Sequence, residues 1–345
     1  MQALRALAAV LVMLYHGTTL IRQETGYTYL ANIFTVGFMG VDIFFVLSGF
    51  IIFYTYTSKT VHAGGFLKKR FIRVVPIYWI VIIGLILIHV KYPASNQAEL
   101  NTACTIAASF TLYPSKLYVL GVAWTLTYEI LFYIVFALTA SCNIKWFFYT
   151  FLAWCVLIIA FYILQIKSSI FAVNALTNPV ILNFGFGCII AYLFKKHQTL
   201  KHWGWVACFG FVLLLVTCLT YYFAVSKDAR DPAYTSDMSR VYLFGIPSAI
   251  LICGLLYFKR HVPKLFVAIG DASYSLYLIH AALITFMLRF FLKAHLLQTQ
   301  NRLNVLIIST IIFAMTIGIS LLFYKYIEKP LIKQLNKRKS NNTVW

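Results

Sequence analysis

Four ionisable side chains lie well inside long apolar stretches of this 345-residue chain: His16, Asp42, Glu129 and His280. Ionisable groups are costly inside a membrane and usually serve a function there. An imidazole can take up a proton in a reaction, and a carboxylate can orient an imidazole and stabilise its protonated form. We therefore predict that His16, Asp42 and Glu129 belong to a functional site. The alternative is that each makes only an interhelical hydrogen bond.

The apolar stretches that hold these residues are long enough to be membrane helices. Hydrophobic residues make up 61% of the chain and charged residues 11%, whereas a soluble domain has about 25% charged residues. Runs of about 20 apolar residues recur along the chain, and each is long enough to span a bilayer. We predict an all-α, polytopic membrane protein of about ten helices. The predicted helices cover residues 3–20, 34–56, 74–90, 122–140, 146–164, 178–194, 203–225, 241–258, 272–292 and 303–326.

The charge pattern predicts how these helices are oriented. The formal net charge is +20, which in a soluble protein would suggest a nucleic-acid partner. Here Lys and Arg are concentrated in every second loop, which is the pattern of cytoplasmic loops in membrane proteins. We therefore expect both termini in the cytoplasm, no nucleic-acid partner, a membrane domain over 1–330 and a basic cytoplasmic tail over 331–345. We read the first run as a retained helix rather than a cleaved signal.

Two observations argue against a metal or disulfide framework. The seven cysteines form no CxxC pair, and most lie in apolar runs, where cysteine behaves as a small hydrophobic residue. We therefore predict no metal site.

The stretch 101–113 is too short and polar to cross the membrane, so it is expected to lie at the interface or to re-enter.

Three of these ionisable groups fall at similar depth. At 1.5 Å per helical residue, His16 lies about 6 Å, Asp42 about 12 Å and Glu129 about 10 Å below the outer ends of their predicted helices. By the same rise His280 lies deeper, at about 18 Å. The similar depth of a histidine and two carboxylates favours a shared functional site.

Arg5 and His16 suggest an elongated ligand. They are eleven residues apart, which places them on one helix face and about 16 Å apart along the axis. A ligand with an anionic head at the cytoplasmic edge and a reactive end deeper in the protein would fit, and coenzyme A has this form. The alternative role for Arg5 is that of a cation that sets topology.

A second basic group occurs in the string KKRFIRVVPIYW, which begins at Lys68. Arg70 and Arg73 are spaced i, i+3 and share a helix face. Pro76 suits an early helical turn, so we place both arginines at the N-terminus of the third predicted helix. A helix N-terminus attracts phosphate, and we predict phosphate binding there. The alternative is a purely topological role.

Six segments resemble the acyltransferase-3 family of membrane acyltransferases, in the family order and over essentially the whole chain. The Arg-x10-His spacing and GVDIFFVLSGF are specific, whereas EKP alone would be weak. One departure is Gln2-Ala3, where many members have Asp-Gly before Leu-Arg. We expect no periplasmic SGNH-type domain after the last helix. The segments are RALAAVLVMLYH (5–16), GFMGVDIFFVLSGFII (37–52), KRFIRVVPIYW (69–79), WTLTYEILFY (124–133), ASYSLYLIH (272–280) and EKP (328–330).

The resemblance implies transfer of an acyl group, usually acetyl, from cytoplasmic acyl-CoA. The acceptor would be a hydroxyl of a cell-surface glycan or lipid-linked glycan, such as lipopolysaccharide O-antigen or exopolysaccharide. The protein would lie among the lipids of the bacterial inner membrane. His16 matches the family's essential histidine and would act as general base or carry a transient acyl group. Asp42 or Glu129 would orient it.

The same resemblance extends to binding residues. Arg5, Arg70 and Arg73 would bind the donor, acetyl-CoA. Tyr128, Tyr277 and His280 would bind substrate, although aromatic packing is an alternative for the tyrosines. Ser48 could be an acyl-Ser nucleophile, but its predicted depth, well below His16, favours a hydroxyl that packs helices.

Three other functions compete with this interpretation. A proton-coupled transporter or flippase of glycan precursors would also need buried carboxylates and a histidine, but the chain shows no paired halves of the kind such transporters have. An acyltransferase with a different donor or acceptor, such as succinyl-CoA, a lipid or a protein, fits the same residues. A structural membrane protein fits least, because it needs no convergent ionisable groups.

Overall fold

The protein is described here from a computed structural model that covers residues 1–56, 61–91, 102–197, 201–225, 238–257 and 261–337. These ranges contain helices and turns and no strand. Within them, the short 3-10 helices Thr35–Phe38 and Pro179–Ile181 and the π-helical turns Val241–Gly245 and Tyr324–Glu328 join or interrupt the α-helices. The α-helices are α1 Gln2–Thr25, α2 Tyr29–Ile33, α3 Met39–Tyr56, α4 Ala63–Lys91, α5 Ala103–Thr111, α6 Ala123–Ala140, α7 Ile144–Ile163, α8 Phe171–Leu176, α9 Leu182–Lys196, α10 Trp203–Val225, α11 Met238–Arg240, α12 Ile246–Leu255, α13 Lys264–Asp271, α14 Ser273–Lys293, α15 Arg302–Phe323 and α16 Lys329–Lys337.

The prediction of about ten membrane helices is confirmed. Within the described ranges, ten helical stretches are long and apolar enough to cross a bilayer. One of them, Phe171–Lys196, combines α8, the 3-10 turn and α9. The chain is therefore a multi-pass, all-helical membrane protein. The cytoplasmic location of both termini stays a prediction.

The start of the third membrane helix differs from the prediction. α4 begins at Ala63 rather than near residue 74, so Arg70 and Arg73 lie within the helix and not at its N-terminus. Pro76 is likewise internal. Hydropathy marks the part of a helix that contacts lipid, and the basic first turns of α4 are helical without being apolar. A membrane helix tolerates an internal proline where neighbouring groups satisfy the freed backbone carbonyl. The prediction that Arg70 and Arg73 lie at a helix N-terminus, where the backbone would help to bind phosphate, is therefore wrong.

The short stretch after α4 does not cross the membrane. Its helix, α5, has nine residues. Two side chains of α4 donate hydrogen bonds to carbonyl oxygens near the end of α5: Tyr78 Oη to Ser109 O at 2.8 Å and Trp79 Nε1 to Phe110 O at 3.0 Å. The bond to Phe110 O pairs a carbonyl of the last helical turn, whereas Ser109 O also accepts from the backbone N–H of Leu112.

The predicted tail begins with helix. α16 continues the last membrane helix through the π-helical turn and carries residues 331–337 of the tail. The rest of the predicted tail, residues 338–345, lies outside the described residues.

The helices divide into two compact units. The first unit contains α1, α2, α3 as far as Leu47, α10 and α12 to α15; the second contains α3 from Ser48, α4 to α9 and α11. α16 divides after Leu331.

In the first unit α1 packs against α13, α14 and α15. Its core includes the buried side chains of Met13, Leu276, Ile284 and Ile312. α10 and α12 form a second closely packed pair in the same unit.

Two glycines, one in the 3-10 helix Thr35–Phe38 and one at the start of α3, allow this part of the chain to approach α1 closely. A Cβ atom built on Gly37 would meet the carbonyl oxygen of Leu11, and one built on Gly40 would meet that of Ala8. Since only glycine fits against a neighbouring backbone at this distance, these residues of the GFMGVD string fix α3 beside α1. They thereby fix the position of Asp42.

The second unit has an aromatic core. Phe132 of α6 stacks on Phe184 of α9 with ring centroids 4.5 Å apart, and Phe136 and Phe147 are fully buried beside it. A Cβ atom on Gly49 would meet the backbone of Phe184, so α3 and α9 are in close contact.

Candidate functional site

In the first unit, His16 of α1 lies against His280 of α14. The centroids of the two imidazole rings are 5.3 Å apart and the rings are inclined at 39°. The predicted helix ends placed the two histidines about 12 Å apart in depth. α1, however, continues to Thr25 and packs along α14, which brings the two rings together. Tyr277 lies next to this pair, its ring centroid 6.0 Å from those of His280 and Phe44.

The hydrogen bonds of His280 determine its tautomer. Nδ1 lies 2.8 Å from the carbonyl oxygen of Tyr277 and 3.1 Å from that of Leu276. A carbonyl oxygen can only accept, so Nδ1 carries the hydrogen and Nε2 carries a lone pair. The side chain is 1% exposed, and Nε2 is buried with no hydrogen-bond partner in the described structure. A buried acceptor of this kind is unusual and calls for a donor.

The other predicted residues of the first unit are Asp42 and Arg5. Asp42 is completely buried near the start of α3. Arg5 is on α1, and because α1 is one uninterrupted helix, Arg5 and His16 share a face as predicted. Near Arg5, the Gln2 side-chain amide donates a hydrogen bond to the Asp271 carboxylate. Roles of Asp42 in orienting His16 and of Arg5 in donor binding stay predictions.

In the second unit, Glu129 of α6 is the centre of a polar network. Its Oε1 accepts hydrogen bonds from Ser48 Oγ of α3, at 2.9 Å, and from the hydroxyl of Tyr133, one turn further along α6. Ser48 thus makes the interhelical hydrogen bond expected of a hydroxyl that packs helices. A role of Glu129 in orienting His16 stays a prediction.

Arg70 of α4 extends this network through an aromatic cage. Its guanidinium carbon lies 5.4 Å from the ring centroid of Phe66, 5.5 Å from that of Tyr133 and 6.0 Å from that of Tyr56. These distances are within the range of cation–π attraction. Nε of Arg70 is buried and has no hydrogen-bond partner in the described structure, which leaves a donor available. Arg73, one turn further along α4, is exposed.

Tyr128 belongs to a separate polar and aromatic cluster of the second unit. Its hydroxyl accepts a hydrogen bond from Asn178 Nδ2 at 2.8 Å. Its ring centroid lies 5.8 Å from that of Trp124, edge to face. The guanidinium carbon of the buried Arg240 lies 5.7 Å from the Trp124 ring centroid. Tyr128 therefore takes part in a side-chain hydrogen bond as well as in aromatic packing.

Sequence reasoning missed several members of these clusters. Tyr133 lies in the recognised string WTLTYEILFY, at i+4 from Glu129, and this spacing could have indicated the contact. Trp124 opens the same string. Arg240 directly precedes a π-helical turn, a feature often found at functional sites, but neither it nor Asn178 carries a distinctive sequence signal.

The ten apolar helices of the described ranges and the match to an acyltransferase domain make this chain an integral membrane acyltransferase. The chain belongs to the acyltransferase-3 family: the family model, described as an acyltransferase domain, matches residues 1–325.

Two curated relatives add detail. The chain is 28% identical, over 354 aligned residues, to the exopolysaccharide production protein ExoZ of Rhizobium meliloti (strain 1021), and the match covers 95% of this chain and 96% of ExoZ. It is also 33% identical over 82 residues to protein 2 in the picA locus of Rhizobium radiobacter, a match that covers 23% of this chain and 38% of that protein. No solved structure matches significantly.

Proposed function

We propose that the protein is an O-acetyltransferase of the bacterial inner membrane that moves an acetyl group from cytoplasmic acetyl-CoA to a hydroxyl of an exopolysaccharide or a related cell-surface glycan. The observation that carries the proposal is the contact between His16 and His280. These residues end RALAAVLVMLYH and ASYSLYLIH, two of the segments on which the family resemblance rests.

In the proposed reaction His16 acts as general base. A sugar hydroxyl is a poor nucleophile until its proton is removed. His16 takes that proton as the oxygen attacks the thioester carbonyl, and the carbon–sulfur bond then breaks. The thiolate of coenzyme A takes the proton from the His16 imidazolium, which restores the neutral base. The products are the O-acetylated sugar and free coenzyme A.

The donor would be held by arginines. Arg5 lies on the same helix face as His16, about 16 Å away along the helix axis. This separation suits a phosphate head and a pantetheine arm. Arg70 offers a buried, unpaired Nε and a guanidinium held between aromatic rings. Such a preformed fork suits phosphate oxygens. Exposed Arg73 would add charge at the same helix.

The acceptor would bind in part at the cluster around Tyr128. Sugar rings offer apolar faces that pack on aromatic rings and hydroxyls that pair with amides and hydroxyls. Trp124 and Tyr128 supply the rings, and Asn178 and Arg240 supply polar groups. The name of ExoZ, an exopolysaccharide production protein, supports a polysaccharide acceptor.

The test is acyl transfer by the purified protein in proteoliposomes. Acetyl-labelled acetyl-CoA is supplied on one side, and label is followed into exopolysaccharide on either side. Removal of a general base lowers the rate by about 10²- to 10⁴-fold, so His16→Ala should lose transfer by that factor while it inserts and folds normally. His89→Ala is the matched control, since His89 lies on another membrane helix and should keep full activity.

Two results would contradict the proposal. Near-normal turnover by a folded His16→Ala protein would remove His16 from the reaction. Movement of unmodified glycan across the membrane, with no label transferred, would favour a flippase.

A further inference from the structure

His280 has a lone pair that nothing in the described structure uses. Because two backbone carbonyls hold Nδ1 as the donor, Nε2 is fixed as an acceptor. It is buried without a partner on a side chain that is 1% exposed. Burying an acceptor without a hydrogen bond costs free energy, so a donor is expected to reach this atom in the working protein.

The nearest imidazole is that of His16. A head-on N–H···N bond of about 3.0 Å between two imidazoles places their ring centres about 5.2 Å apart, since each nitrogen lies about 1.1 Å from its ring centre. The observed separation is 5.3 Å. The structure shows no hydrogen bond at Nε2, and because the His280 ring is held by backbone carbonyls, the His16 ring would have to turn to donate one.

We propose that His280 is the positioning residue of His16: its Nε2 accepts a hydrogen bond from one nitrogen of His16 and leaves the other nitrogen unprotonated and able to act as base. This inference rests on the proposed function, in which His16 takes the proton of the acceptor hydroxyl. When that proton arrives, His16 is an imidazolium, and the hydrogen bond to His280 becomes charge-assisted and stronger.

The arrangement matches the task of the acid in a hydrolase triad, in which a buried acceptor fixes the tautomer of the base. His280 does this without a negative charge. A neutral partner suits a deeply buried position, because a lone carboxylate there would have to be desolvated. Backbone carbonyls hold His280, so it can accept from Nε2 and cannot rotate freely to donate.

The experiment compares His280→Phe with His280→Gln in the acetyl-transfer assay. Phenylalanine keeps a ring of similar size but has no lone pair; glutamine places an amide oxygen near the position of Nε2 and can accept from His16. We expect His280→Phe to lower kcat by about tenfold to a hundredfold, the factor for loss of a charge-assisted hydrogen bond. His280→Gln should recover much of this loss, and KM for donor and acceptor should change less than threefold in both.

A second measurement does not depend on activity. Histidine labelled with ¹⁵N reports the tautomer of each ring in protein held in lipid nanodiscs. We expect His280 to show a protonated Nδ1, and the His16 signals to shift in His280→Phe and return towards wild type in His280→Gln. His89→Phe is the control and should leave both rings unchanged.

Each alternative outcome overturns the proposal. Retained kcat with a raised acceptor KM would make His280 a substrate-binding residue. Equal loss in folded Phe and Gln variants would show that the lone pair is not what matters. If wild-type protein transfers no acetyl group, the proposed function fails, whereas unchanged His16 signals in His280→Phe reject the pairing itself.

Discussion

Tyr133 offers a direct test of the network around Glu129. Its hydroxyl donates to Glu129 Oε1, while its ring packs edge-to-face on Phe66, with ring centroids 6.0 Å apart, and lies under Arg70. Tyr133→Phe removes the hydroxyl and keeps the ring. The Tyr133 side chain is only 3% exposed, and once its hydroxyl is removed Ser48 is the remaining donor to Oε1 in the described structure.

The expected loss follows from the type of hydrogen bond. A hydrogen bond to a charged group contributes about 1.5–3 kcal/mol, which corresponds to about a tenfold to 150-fold change in an equilibrium or a rate. If Glu129 acts in turnover, most of this loss should appear in kcat, with a smaller decrease in thermal stability. The assay is steady-state acetyl transfer in proteoliposomes, with unfolding of the detergent-solubilised protein followed in parallel.

Two variants complete the test. Tyr56→Phe is the matched control, since Tyr56 also lies beside Arg70, with the guanidinium carbon 6.0 Å from its ring centroid, and should stay close to wild type. Glu129→Gln should lower kcat at least as much as Tyr133→Phe. Wild-type turnover and stability in Tyr133→Phe, together with a strong defect in Glu129→Gln, would refute the idea that Tyr133 holds the carboxylate in its working position.

Two further predictions concern the donor and the packing of α3. Arg70→Ala should weaken acetyl-CoA binding by about tenfold to a hundredfold, measured by direct binding to detergent-purified protein. Arg70→Lys should recover only part of the affinity because lysine lacks the planar guanidinium. Lys69→Ala, at an exposed residue, is the control and dephospho-CoA the comparison ligand; wild-type affinity in Arg70→Ala would exclude a phosphate contact. Gly40→Ala should destabilise the protein by about 1–3 kcal/mol, because the new Cβ overpacks against the Ala8 carbonyl; the measurement is thermal stability. Gly318→Ala is the control, since a Cβ there meets no atom within 4 Å. Equal stability of the two variants would contradict the close approach of α3 to α1.

The sequence predicted the membrane helices well and their ends less well. Apolar runs of about 20 residues identify spans because lipid contact requires them. α4 begins with Ala-Gly-Gly and continues into a basic run from Lys68, so hydropathy could not reveal that the helix begins at Ala63. α1 likewise continues to Thr25, beyond its predicted end at residue 20. Depth estimates inherit such errors, because each residue of error in a helix end moves the estimate by about 1.5 Å.

The contacts within the candidate site were harder to predict. Hydropathy does not fix the rotation of one helix about its axis relative to another, and the meeting of His16 and His280 depends on that rotation. The spacing of Arg5 and His16 could be predicted because both lie on one continuous helix. Tyr128 was predicted as a substrate-binding residue, but its contact with Asn178 joins positions 50 residues apart, and no periodicity reveals such a pair.

The network of the second unit changes how Arg70 should be understood. From the sequence, its positive charge had two explanations, phosphate binding and topology. A topological cation needs only to be near the cytoplasmic surface, and Lys68 and Lys69 already supply that charge. It does not need a side chain surrounded by three aromatic rings. The side chain is half-buried, and contacts with three rings narrow the positions that the guanidinium can take, which favours a preorganised binding group. Since one of those rings belongs to Tyr133, which donates to Glu129, a change at Arg70 should also disturb the carboxylate, an effect that topology alone would not produce.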